Sequence, residues 1–177
     1  MIKPTLFILI IACSQLANGQ YSFRTREGHI IASGIFDTTQ FIAESHKLFI
    51  IFNNDYKDMN GTIFFNTIIS GIPEIDSLLT KSNSAKISFE GNVPVDFLSW
   101  EHKELNLTIP IRITINDTTH EEMLKAEFNH LQRTSTSTCL FSGFLKINLS
   151  KYTKDNIQGR LNPELNIILS QLVLRKE

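Results

Sequence analysis

The chain has 177 residues, of which 42% are hydrophobic and 20% are charged, and this composition suffices for one domain with a sizeable core. Its formal net charge of -1, without a run of five like charges, indicates neither a nucleic-acid-binding surface nor a polybasic membrane patch. We therefore expect a single domain that binds no nucleic acid, and the motifs along the chain must supply any statement about function.

The first twenty residues, MIKPTLFILIIACSQLANGQ, are typical of a secretory signal peptide. Their apolar run, residues 6–12, is well short of the roughly 20 residues that a membrane-spanning helix needs, and no later segment comes closer. Cleavage would follow Gly19, whereas "IIAC", ending at Cys13, resembles a bacterial lipobox; the short run before Cys13 favours the first site. We expect residues 20–177 to form an exported domain, periplasmic or secreted, or an outer-membrane lipoprotein if Cys13 is lipidated.

From about residue 24 onward, stretches rich in Ile, Phe, Leu and Thr alternate with clusters of Asn, Asp, Ser and Gly, which is typical of an all-β domain. The short connections favour antiparallel hairpins. Eight antiparallel strands can close into a barrel or pack as a two-sheet sandwich, and periodicity alone does not decide between them. The candidate strands are residues 28–36, 41–52, 61–72, 85–93, 105–115, 123–131, 138–149 and 165–174, with a further short apolar piece at 95–100.

One segment departs from the strand pattern. "IPEIDSLLTK" carries apolar residues at helical spacing, with Pro73 and acidic residues at its start and Lys81 at its end, and this predicts a short helix over 73–81. Such a helix could cover an open end of a barrel.

The stretch "ELNLTIPIRITIND", Glu104 to Asp117, places an apolar residue at every second position and so predicts one dry and one wet face. Pro110 removes a backbone donor at its middle, which predicts a bend, a bulge or an edge position there. Asn116 and Asp117 tolerate positive φ and can form the turn that follows. The same alternation marks other strands, among them the one that carries Leu165, Ile167 and Leu169.

Enzymatic motifs are absent from the sequence: it contains no Gly-rich phosphate loop, no G-x-S-x-G elbow, no C-x-x-C pair and no H-E-x-x-H. We therefore predict no catalytic residue, no cofactor and no metal site. His102 and His120 are interpreted as solvated turn residues, and the other three histidines, which stand alone in the sequence, in the same way. Cys139 has no partner cysteine in the domain and is expected to be a small buried hydrophobic residue.

Two stretches of the C-terminal half carry a family resemblance. "ITINDTTHEEMLKAEF", from Ile113, is similar to a strand, turn and strand of the form L-T-I-H-G-V-T-K-E followed by V-T-L-P-V-T-F in the YceI-like family. "FSGFLKINLSKY", from Phe141, resembles the family's penultimate strand, which ends in L-S-D-Y. Similar likenesses appear in "TREGHI", "KISFEGNV" and "LNPELNIILSQLVL". The chain departs from the family where Asn116-Asp117 replaces His-Gly and Ser84-Ala85 replaces Tyr-Pro.

The resemblance implies an exported, lipocalin-like barrel of about eight antiparallel strands, which holds a polyisoprenoid or a fatty-acyl chain in an apolar lumen and catalyses nothing. The expected lumen or core residues are Phe49, Ile51, Phe65, Ile87, Phe89, Leu107, Ile109, Ile111, Ile113, Phe141, Leu145, Ile147 and Ile167.

Two alternatives remain open at this point. In the first, the lumen is fully packed, and the apolar residues Phe64, Phe144, Ile168 and Leu172 on the other face form a partner or homodimer surface. The second, a hydrolase, would need a polar constellation in a cleft.

Overall fold

Eight β-strands and one short α-helix account for most of the part of the chain that the structure, a computed structural model, describes: residues 22–53, 56–81, 85–94, 104–130, 138–152 and 159–176. The strands are β1 Ser22–Phe36, β2 Thr39–Asn53, β3 Asp58–Phe64, β4 Lys86–Asn92, β5 Glu104–Ile115, β6 Thr118–His130, β7 Thr138–Asn148 and β8 Glu164–Lys176. The helix, α1, spans Pro73–Lys81, as the sequence predicts. No helix in these ranges is long and apolar enough to cross a membrane.

The strands form a closed antiparallel barrel in sequence order. Each strand pairs with the next one along the chain, and β8 returns to pair with β1, where Ile168 lies opposite Ile31. This confirms the all-β, eight-stranded barrel and decides between barrel and sandwich. Closure leaves no sheet edge to be covered.

Three strands differ most from their predicted bounds, and the first is β1, which begins at Ser22 rather than at 28. β3 ends at Phe64, and a 3-10 turn follows at Phe65–Thr67, so the predicted strand 61–72 is shorter at its end. β6 begins at Thr118 rather than at 123. The apolar piece at 95–100 and the segment 1–19 lie outside the described residues.

The β5–β6 hairpin has the predicted turn. Asn116 and Asp117 connect the strands with φ angles of 48° and 65°, the left-handed conformation that a two-residue turn of this kind requires. Pro110 causes no bulge toward β6, because the β5–β6 register runs without a shift. On the other side, the last described β4–β5 pair is Gly91 with Ile111, so Pro110 lies just beyond the end of that pairing. The predicted bulge is thus not seen toward β6, and Pro110 follows the last described pair with β4.

Bulges between β1 and β2 reverse the alternation of inward and outward side chains. Odd-numbered residues of β2 face inward up to Ser45, whereas Leu48, Ile50 and Phe52 face inward further along. The register shift between Gly28 and Ile30 adds one residue to β2 and produces this change. Phe49 and Ile51, predicted as lumen or core residues, are instead half-buried on the outer side, between buried neighbours.

A bulge between β7 and β8 corrects the prediction for Leu172. The register between β7 and β8 shifts between Phe141 and Gly143, which places an extra residue on β8. Ile167 and Leu169 face inward before the bulge, and Leu172 faces inward after it, where it is 2% exposed. Leu172 is therefore core and not part of an outer surface, whereas Phe64 and Ile168 are exposed as predicted.

Candidate functional site

An apolar cavity with a volume of about 50 Å³ lies inside the barrel. Side chains from six of the eight strands line it, and none of these described side chains is polar. The lining residues are Ile30, Ile63, Ile87, Phe89, Ile111, Ile113, Leu145, Ile147, Ile167 and Leu169. The cavity is therefore small and offers no polar partner to a water molecule, which needs about two to four of them.

The predicted lumen residues separate into four groups. Ile109 and Phe141 are fully buried in the core away from the cavity, and Phe65 and Leu107 are partly buried and pack against that core. Phe49 and Ile51 lie on the outer side. The cavity brings together the remaining residues: Ile87, Phe89, Ile111, Ile113, Leu145, Ile147 and Ile167.

Sequence reasoning did not single out Ile30 and Ile63 as lining residues. Each is followed directly by another apolar residue, as Ile30 is by Ile31 and Ile63 by Phe64. Alternation cannot say which of two adjacent apolar side chains points inward, because both fit a strand. The cross-strand pair of Ile63 with Ile87 settles this for β3.

Aromatic rings close one end of the barrel. The ring of Phe52 contacts those of Phe128 and Phe141 edge-on, at centroid distances of 5.7 and 5.1 Å. Cys139 is buried at this end, and burial raises the pKa of its thiol to about 12. The thiol is therefore protonated at neutral pH and is not a nucleophile, in agreement with its predicted role.

Helix α1 covers the other end. Ile75 packs with Phe36, Phe41 and Ala43 in a small apolar cluster that is separate from the main core. We refer to α1 as the lid helix. It packs beside the β1–β2 turn, at the end of the barrel opposite the aromatic rings.

Hydrogen bonds hold the start of the lid helix in place. One carboxylate oxygen of Asp76 accepts bonds from the Ser70 backbone N–H and hydroxyl, both at 2.7 Å, and the other accepts one from the Gly71 N–H at 3.1 Å. Burial would raise the pKa of Asp76, but these bonds outweigh it and the pKa lies below its usual value. The loop before the helix is thus bound to the ionised carboxylate.

Arg160 connects the lid helix to the barrel rim. Its guanidinium donates to both carboxylate oxygens of Asp37, with Nη2 at 2.6 Å from Oδ2, and lies 4.3 Å above the ring of Phe36. Glu74, in the first turn of the lid helix, lies 4.0 Å from the same guanidinium. The hydrogen bond from Arg160 lowers the pKa of Asp37. One cation thus contacts both the β1–β2 turn and the lid.

An open polar groove of about 700 Å³ adjoins the lumen at Ile147, which lines both. Glu122 lines this groove and accepts hydrogen bonds from Lys151 Nζ at 2.7 Å and from the Tyr152 hydroxyl at 3.4 Å. Burial and, to a lesser extent, the charge of Glu122 raise the pKa of Tyr152, so its hydroxyl stays protonated. His120 contacts the Tyr152 ring edge-on. The groove offers both charged and amide groups beside an apolar interior.

Two histidines that stand alone in the sequence meet on the outer wall. The rings of His29 on β1 and His46 on β2 stack with their centroids 4.2 Å apart, and Glu44 Oε2 lies 3.1 Å from His29 Nε2. The sequence contains the information for this contact. A two-residue turn at Asp37–Thr38 pairs residue 36 with residue 39, and counting back along both strands then pairs residue 29 with residue 46. Sequence reasoning did not place that turn, so it treated both histidines as isolated.

Comparison with solved structures supports the fold. The chain is similar to a polyisoprenoid-binding domain from Saccharophagus degradans implicated in plant cell wall breakdown, with a TM-score of 0.66 and 11% identity over 89% of this chain and 98% of that one. It is also similar to BcnA of Burkholderia cenocepacia, with a TM-score of 0.51 and 12% identity over 84% of this chain and 96% of that one. No family model and no curated sequence matches the chain. These likenesses confirm the barrel fold that the sequence resemblance implies.

Proposed function

We propose that the protein binds an apolar, chain-like lipid of isoprenoid or fatty-acyl type in the barrel lumen, and that it does so without catalysis. The cavity is the observation that carries this proposal, because every residue that lines it is apolar. Transfer of a chain from water into such a lumen gains roughly 0.8 kcal/mol for each buried methylene group. The similar polyisoprenoid-binding domain of Saccharophagus degradans adds support for this ligand class.

Lipid entry requires the lumen to expand, because small-molecule pockets typically measure about 300–1,000 Å³ and this cavity holds about 50 Å³. The lid helix is suited to move, since few contacts of the described side chains hold it: a small apolar cluster, the Asp76 bonds to Ser70 and Gly71, and the exposed contact between Arg160 and Glu74. The polar groove beside Ile147 would then hold the lipid's polar end, with Lys151 close to it. The chain would displace inward side chains such as Phe89.

Native mass spectrometry of the gently purified protein tests the proposal. We expect a bound lipid, or uptake of a fatty acid or an isoprenoid added to the protein. Ile167→Phe fills the lumen and should lower uptake, whereas Ile168→Phe, its neighbour on the exposed face, should not. A wild-type protein that carries no lipid and takes up none would contradict the proposal.

A packed barrel that acts as an interaction module is the second candidate, and the small cavity volume favours it. Its partner surface would be the outer strip where Phe144 and Ile31 flank the exposed Ile168. If this candidate is correct, Ile168→Asp abolishes self-association or partner binding. The wild type then takes up no lipid, and Ile167→Phe takes up none either.

Export is part of the proposal. The signal peptide predicted at residues 1–19 would direct the barrel to the periplasm or the medium, or to the outer membrane if Cys13 is lipidated. The mass of the mature protein tests this, because cleavage after Gly19 leaves Gln20 as the first residue. An intact Met1 on the protein recovered from its own cells would contradict export.

A further inference from the structure

The outer wall of the barrel brings together three groups that ligate metals. The metal-binding atoms of His29, Glu44 and His46 all lie within 4.8 Å of one another. Ligand atoms around a tetrahedral zinc lie about 3.3 Å apart, as follows from bond lengths of about 2.0–2.1 Å. The His29–Glu44 pair, at 3.1 Å, already has this spacing. The His46 ring, stacked on that of His29 with centroids 4.2 Å apart, would have to turn out of the stack to bring its nitrogen to the same ion.

The backbone around the three side chains is well fixed. Glu44 exchanges two backbone hydrogen bonds with Ile69, each of 2.9 Å, outside the regular barrel pairing. The buried Ser45 hydroxyl donates to Thr67 and accepts from the Lys47 N–H across the bulge. These contacts hold Glu44 and His46 on one face of β2, opposite His29. The positions of the ligands are therefore set by the fold and not by a loose surface segment.

The chemistry of the set selects a class of ion. Two imidazoles and one carboxylate suit zinc, nickel or copper, whereas calcium and magnesium prefer oxygen ligands only. His29 is 27% exposed and Glu44 53% exposed, so an ion bound here would be open to water at a remaining position. Lys47, the nearest cation along β2, is engaged with Glu27 at 3.3 Å.

We propose that His29, Glu44 and His46 form a site for a transition-metal cation of the zinc class on the outer wall of the barrel. The site is built from outward-facing residues and is independent of the lipid proposed for the lumen. An ordinary cross-strand contact between His29 and Glu44 is the competing explanation, and it predicts no metal affinity that depends on both histidines.

Calorimetric titration of Zn²⁺ into the untagged, chelator-treated full chain tests the proposal, because a polyhistidine tag would itself bind the ion. We expect one equivalent bound by the wild type. We expect His29→Ala and His46→Ala each to weaken zinc binding by at least roughly 10- to 100-fold. Loss of a residue that only hydrogen-bonds to a metal ligand already costs this much. His120→Asn, a histidine outside the cluster, should bind as the wild type does.

X-ray absorption at the zinc edge of the wild-type protein provides a test that does not depend on the folding of a variant. Two imidazole ligands are expected. A single imidazole, no bound zinc, or unchanged binding in both His29→Ala and His46→Ala would overturn the metal site. Lipid uptake by the chelator-treated protein tests the lumen separately, so the two proposals can fail independently.

Discussion

The ring of Phe89 on β4 lies directly over Gly61, its cross-strand partner on β3, and a Cβ at Gly61 would overlap that ring. The glycine thus provides the space in which the phenyl group lies flat against the barrel wall. Since Phe89 also lines the cavity, this pair determines how much of the lumen is filled at its midpoint.

The contact between Gly61 and Phe89 predicts strong coupling between the two positions. Gly61→Ala should lower the free energy of unfolding by about 1–3 kcal/mol through overpacking, and Phe89→Ala by about 3–5 kcal/mol through the cavity it leaves. The double variant should cost less than the sum, because the added methyl group no longer meets the ring. Urea denaturation measures all three. As a control, Phe64→Ala, on the exposed face of β3, should combine additively with Gly61→Ala; a strictly additive Gly61–Phe89 pair would contradict the contact.

The β5–β6 turn predicts opposite effects of two substitutions at Asp117, whose φ is 65°. Asp117→Gly should keep or raise the stability, because glycine adopts this conformation without steric cost. Asp117→Val should lower it by about 1–2 kcal/mol, the cost of a left-handed conformation for a residue with a branched side chain. The urea midpoints of the two variants measure the difference. Met123→Val, at an exposed strand position, serves as the control and should be tolerated.

The ion pair between Asp37 and Arg160 predicts a pH-dependent contribution to stability. The pKa of Asp37 is lower in the folded protein than its ordinary value of 3.8. The unfolded chain therefore takes up the proton first, and the stabilisation is complete above about pH 4 and lost as the pH falls through the folded pKa. Melting temperatures of the wild type and Asp37→Asn should differ at pH 6, and the difference should shrink as the pH falls below 3.8. A difference that stays constant over this range would contradict the role of the ionised carboxylate.

The bonds to Asp76 predict that one substitution loosens the lid helix. Asp76→Ala removes the acceptor for the Ser70 and Gly71 N–H groups, so these amides should exchange faster with deuterium, together with those of the lid helix. The barrel amides should keep their protection. Ser77→Ala, on an exposed position of the same helix, is the matched control. Equal protection of Ser70 and Gly71 in the wild type and Asp76→Ala would show that other contacts hold the lid.

Much of the barrel could be predicted from the sequence, because alternation extends over whole strands such as β5. Its apolar residues Ile109 to Ile115 all face inward, and the Asn116–Asp117 turn fixes where the hairpin reverses. The helix at 73–81 could be predicted for a similar reason, since its apolar spacing and terminal charges agree with each other.

The bulges could not be predicted, and they account for the errors at Phe49, Ile51 and Leu172. One extra residue in a strand sends every later side chain to the other face, yet the sequence around His46 and Lys47 carries no glycine or proline to indicate it. The ring contact between His29 and His46 was not predicted either, because it depends on the register between β1 and β2 and not on either strand alone.

The most direct test of lipid binding in the lumen is an NMR measurement of NOEs between a bound fatty-acyl or isoprenoid chain and the methyl groups of the protein. We expect NOEs from the chain to the inward methyl groups of Ile113, Leu145 and Ile167, and none to the outward methyl groups of Ile42 and Ile168. A saturating concentration of lipid that gives no NOE to the inward groups, or NOEs confined to the outward ones, would contradict binding in the lumen.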